Sequence, residues 1–142
     1  TKTEWAEMKN PNIRSKSTYW AENWEAVASL VRPFEGEQEI TAGIKMIHTG
    51  GHSDGHAIII IEDGGDRLIH MPDIMPTHAH ANVLWVLAYD DYPMTSIEAK
   101  EKWMKSGLEN GSWYSFYHDA QYCAIKWDAT GKEILAELKR KR

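Results

Sequence analysis

The stretch Gly51-His52-Ser53-Asp54-Gly55-His56 runs without a break into Ala57-Ile58-Ile59-Ile60-Ile61, and that junction decides how the chain reads. The second segment is β-branched and apolar on both sides of its alternation, which predicts a strand buried on both faces. A His- and Gly-rich loop delivered into such a strand puts imidazoles at a strand end, where rigid scaffolds present functional side chains. Its glycines allow tight turns that let the rings converge, and Ser53 and Asp54 can orient ring nitrogens by hydrogen bonds. Taken alone, the spacing of His48, His52 and His56 fits unliganded loop histidines as well as a metal site.

Downstream, Asp63-Gly64-Gly65-Asp66 turns the chain into Arg67-Leu68-Ile69-His70-Met71, completing a hairpin. The hairpin leads into His70-Met71-Pro72-Asp73-Ile74-Met75-Pro76-Thr77, where Asp73 sits between two prolines, a rigid setting for a carboxylate whose bland reading is a turn aspartate. A third element, Phe116-Tyr117-His118-Asp119, delivers His118 from a strand-like aromatic run; a structural histidine at a strand end is its plain alternative.

Upstream, Trp20, Trp24, Val27, Ala28 and Val31 are spaced as one helix face over Thr18 to Val31, which Pro33 stops. Glu39 to Ile47 predicts two short strands around Gly43. Helical spacing returns over Ala79 to Leu87 and over Ser96 to Leu108, the latter capped by Thr95 or Ser96. Trp113 to Tyr117, Tyr122 to Trp127 and Glu133 to Leu138 read as closing strands or a terminal helix. The order of elements predicts an α/β or α+β layered fold.

With 142 residues, 42% of them hydrophobic, the chain is expected to form a single unit over residues 1–142. The formal charge of −5 offers no positive field for nucleic acid, and the basic run Lys139 to Arg142 reads as a solvated chain end. No apolar run is long enough to cross a membrane, and a lone Cys123 in a strand-like stretch fits a buried thiol in a reducing, cytoplasmic setting. Seven Trp and six Tyr imply large apolar faces, some of which can meet another chain.

Together the three His and Asp elements resemble the later metal-binding motifs of the metallo-β-lactamase superfamily. Gly51-His52-Ser53-Asp54-Gly55-His56 is similar to that family's Gly-His-x-x-Gly-His loop, Asp73 stands where its bridging aspartate follows a strand, and His118 stands at its last ligand. Thr49 to His56, His70 to Thr77 and Trp85 to Pro93 are most similar to quorum-quenching N-acyl-homoserine lactonase-like members. The resemblance implies half of an αββα sandwich, with a mixed or antiparallel sheet and helices on its outer face. It implies that His52 and His118 are terminal ligands of two different metals, that Asp73 bridges them, and that His56 supports from behind. Two zinc ions, or another divalent metal, about 3.5 to 4 Å apart would then hold a hydroxide that attacks a lactone or small ester, with no protein nucleophile.

The family's His-x-His-x-Asp-His signature, which supplies the remaining ligands from the N-terminal half, is absent. His78-Ala79-His80 is followed by Ala81 and Asn82 and reads as surface or pocket rim. The pocket tyrosine that some lactonases place three residues after the bridging aspartate is Pro76 here. The resemblance therefore implies the C-terminal half of such a domain, close to inactive alone, with its inner sheet face covered by a missing N-terminal half or by an oligomer. The alternative is a non-catalytic interaction or scaffold domain that keeps a partial metal site. A nuclease relative is disfavoured by the acidic charge. Trp85, Tyr89, Tyr92 and Trp113 are expected to be core, Asp90-Asp91-Tyr92-Pro93 to mark a helix entrance, and His118 with Asp119 to be no dyad.

Overall fold

The computed structural model describes residues 1–141. Seven strands form one mixed sheet whose spatial order equals their sequence order: β1 (Glu37–Thr41), β2 (Ile44–His48), β3 (Ala57–Asp63), β4 (Asp66–His70), β5 (Trp113–Ser115), β6 (Tyr122–Trp127) and β7 (Ile134–Lys139). All neighbours are antiparallel except β4 and β5, which are parallel and therefore need a crossover. The long helix α2 (Pro93–Glu109) lies within that crossover, and a short helix α1 (Lys2–Lys9) opens the chain. The layered α+β fold with helix on the outer face is as the sequence suggests, and the Glu133 to Leu138 region is a strand rather than a helix.

The two faces of the sheet differ. Ile58, Ile60, Ile69, Tyr114 and Ile125 point to the face that α2 covers and are buried with Met104. The seat is close: a Cβ on Gly107 of α2 would lie 2.1 Å from the Tyr114 hydroxyl oxygen, and that hydroxyl donates to Met104 O at 2.8 Å. On the opposite face Ile61, Leu68, Trp113, Ala124 and Leu138 line an apolar trough of about 300 Å³. The β3 run is thus buried on one face only: Ile58 and Ile60 are covered from the side of α2, while on the other face Ile59 is half-buried and Ile61 exposed.

Three local expectations are corrected. Thr18 to Val31 is not one helix but a series of 3-10 turns at Ser15–Ser17, Ala21–Asn23 and Glu25–Leu30, with Trp20, Val27 and Leu30 exposed. A short amphipathic helix is stabilised mainly by what its stripe packs against, and here that stripe has little to receive it. Ala79 to Leu87 is likewise a 3-10 turn at His78–Ala81 followed by irregular turns. Helix α2 starts earlier than expected, with Tyr92 as its N-cap and Pro93 in its first turn, where the missing N–H costs nothing. Ser96 is then free for another role.

No helix among the described residues is long and apolar enough to cross a membrane.

Candidate metal centre

Asp73 is the hub of the site. It sits in the 3-10 turn Pro72–Ile74 just past β4, and each of its carboxylate oxygens faces a different imidazole. His52 Nε2 lies 3.9 Å from Oδ2 and His118 Nε2 lies 3.9 Å from Oδ1. The three residues singled out from sequence separations of 21 and 45 positions are thus brought together at one end of the sheet. A carboxylate that offers one oxygen to each of two histidines has the donor arrangement of a bridge between two cations. The set is short of a full site, however: among the described residues no group of three or more His, Cys, Asp and Glu side chains is placed to hold an ion by itself. Two imidazoles and a carboxylate are donors of the kind that suit a divalent metal.

His52 is held firmly. Its Nδ1 lies 2.9 Å from Asp90 Oδ1, and a carboxylate can only accept, so Nδ1 carries the proton of that bond and Nε2 is the nitrogen that faces Asp73. Asp90 is buried, and Ser96 Oγ donates to its other oxygen at 2.9 Å. Backbone bonds tie the two loops together, Asp91 N to His52 O and Tyr92 N to Gly51 O. Gly51 is required here: its φ is +108°, and a Cβ would come within 2.6 Å of Ser96 Oγ. The Tyr89 ring packs edge-on against His52 with centroids 5.7 Å apart, so Tyr89 belongs to the site and not to the core.

The orienting residues differ from those expected. Ser53 Oγ donates to Glu4 of α1, and Asp54 offers only its carbonyl oxygen, to half-buried His48, which takes no part in the cluster. The cradle for His56 is instead Thr49, whose hydroxyl shares a 2.8 Å bond with His56 Nδ1. His56 is buried and its Nε2 has no partner. Burial pulls its pKa down to about 4, the nearby Asp73 carboxylate opposing that only in part, so the ring is neutral at pH 7.

The other flank is looser. His118 lies in a turn after β5 rather than on a strand, and its side chain is 60% exposed. Tyr117, also exposed, stacks on His118 with centroids 4.1 Å apart and donates its hydroxyl to Asp73 Oδ1. The turn is secured from below. Asp119 accepts from His78 N and Tyr122 N at 2.8 and 3.0 Å and from the His78 ring, and these bonds hold its carboxyl down near 2 despite burial. Arg140 donates to the Asp119, Phe116 and Tyr117 carbonyls. Asp119 thus partners His78, not His118, and His78 is a brace at the rim. Asp90, Tyr89, Tyr117 and Thr49 were not predicted as site residues, although Thr49, Tyr89 and Asp90 lie in the segments that carry the family resemblance.

No family model matches the sequence, and no curated protein matches it. Solved structures that match include a probable metal-dependent hydrolase, quorum-quenching lactonases and a hydrolase of the β-lactamase superfamily, and the chain has the fold of about half of such a protein. A probable metal-dependent hydrolase from Staphylococcus aureus is 48% identical with a TM-score of 0.96, over 100% of this chain and 51% of that one. The dizinc quorum-quenching lactonase AidC aligns over 100% of this chain and 54% of its own with a TM-score of 0.72, but at 12% identity, which speaks for the fold alone. An N-acyl homoserine lactone hydrolase aligns over 62% of this chain and 35% of its own, with a TM-score of 0.54 and 21% identity. The chain therefore spans about half the length of the Staphylococcus hydrolase that it matches.

Proposed function

We propose that this chain contributes half of the metal centre of a hydrolase acting on a lactone or other small ester. The observation that carries the reading is Asp73, with one carboxylate oxygen toward His52 and the other toward His118, each 3.9 Å away. In this reading His52, Asp73 and His118 hold divalent metal, zinc being well suited to imidazole and carboxylate donors, and His56 supports them from behind. Such ions, when bound, polarise an ester carbonyl and lower the pKa of water. The chain's own residues have narrower tasks. Asp90 keeps the His52 proton on Nδ1, Tyr117 holds the Asp73 carboxylate, and the Tyr89 ring packs against His52.

The apolar face formed by Ile61, Leu68, Trp113 and Leu138 supports the further reading that a complementary half, carrying the remaining ligands, seats there. Alone, the chain is expected to turn over little or nothing. A second reading, a scaffold domain with a residual metal site, draws on the incomplete ligand set among the described residues.

Co-expression with the half of the Staphylococcus hydrolase that this chain does not cover tests both. Native mass, metal content and ring opening of a lactone panel would be measured on the purified complex. About two ions per complex with turnover is the expected result; a stable complex without metal or turnover would establish the scaffold reading instead.

A further inference from the structure

Helix α2 carries two buried polar residues one turn apart, Ser96 and Lys100, both fully inaccessible. A buried ammonium is costly unless its donors are met, and the strain of burying it shows in a pKa pulled down to about 8. Lys100 meets its donors on one loop: Nζ donates to Trp85 O at 2.5 Å and to Asn82 O at 3.4 Å. That loop carries Asp90 five residues on, and Asp90 reaches His52 Nδ1 at 2.9 Å while taking the Ser96 hydroxyl at 2.9 Å. The loop has no regular helix or strand of its own between Asn82 and Tyr92, so its course depends on such tethers. An apolar residue at position 100 would lack the hold on these two carbonyls.

We propose that Lys100 is a positioning residue for His52: by anchoring the Asn82 to Trp85 turn to α2, it and Ser96 place the Asp90 carboxylate against His52 Nδ1 and so fix which ring nitrogen faces Asp73. The proposal rests on reading His52 as a metal ligand only for its purpose; the tautomer itself is a property of the metal-free chain. Carbonyl anchoring, carboxylate placement and imidazole tautomer form one chain of hydrogen bonds running from the helix core to the site.

The test is the His52 tautomer, read from ring nitrogen and carbon-bound proton NMR correlations in the metal-free 142-residue chain, with the downfield Nδ1–H signal as a second marker. The wild type is expected to show His52 protonated at Nδ1. Lys100→Met is expected to reduce that form to a minority of the neutral ring and to lose the downfield proton, and Lys100→Arg to restore both. A folded Lys100→Met whose His52 signals match the wild type overturns the proposal, since a merely structural lysine would alter melting and not the tautomer. Should Lys100→Met fail to fold, Ser96→Ala carries the same readout: a shifted tautomer supports tethering from α2, and an unshifted one overturns it. Failure of the metal reading would show separately, as a complemented wild type that binds no zinc while its His52 tautomer stays fixed.

Discussion

The two flanks of Asp73 are built differently. His52 is locked by a buried carboxylate, two backbone ties and an aromatic edge, all supplied by this chain, whereas His118 stands 60% exposed on a turn whose bracing lies beneath it. The contrast teaches which part of the site is finished here. A histidine whose hydrogen-bond partners are in place is preorganised, and one stacked on an exposed tyrosine is held less firmly.

Four changes break or sharpen that contrast. Asp73→Asn strikes both flanks at once and is expected to abolish metal binding by the complemented protein, measured by zinc competition; retained binding would remove Asp73 from the centre. Next in size is pH. His56 has its folded pKa lowered from 6.5 to about 4, so the unfolded chain takes up the proton first, and stability present above about pH 6.5 drains away as pH falls toward 4. The full effect is on the order of 3 kcal/mol. Urea unfolding between pH 4 and 7 should show this slope in the wild type and not in His56→Gln. Asp90→Asn touches only the finished flank and should weaken zinc binding by roughly 10- to 100-fold, as loss of an outer-shell carboxylate does, with little change in melting. An affinity equal to wild type would mean that His52 needs no orienting group. Smallest is His48→Ala, which removes a half-buried ring bonded to Asp54 O and away from the cluster, and is expected to leave zinc affinity within a factor of two and stability within about 1 kcal/mol.

Much of this was legible in advance. His52, Asp73 and His118 stand in loops whose glycine, proline and aromatic neighbours announce them, and the structure brings all three together. Strands β3 and β4 follow from β-branched runs around a Gly-Gly turn. What failed was whatever depended on the packing partner. The Trp20 to Val31 stripe has a helix's period but packs little beyond Trp24 against Trp5, and Ile59 and Ile61 look like Ile58 and Ile60 although only the latter pair is buried. Asp90 and Lys100 were hidden for a related reason: a charged residue at a helix entrance or on a helix reads as solvated until the tertiary structure shows it buried.

The sole parallel pairing, β4 with β5, carries one last consequence, for folding order. The other five pairings are joined by hairpins or short connections and can form early from nearby contacts, whereas β4 and β5 meet only after the intervening residues 71–112 have been placed. His52 and Asp73 lie before most of that segment and His118 lies beyond it. The metal-facing cluster is therefore expected to be among the last features to assemble, so a slowed or mispaired crossover would leave a chain with most of its secondary structure and no site.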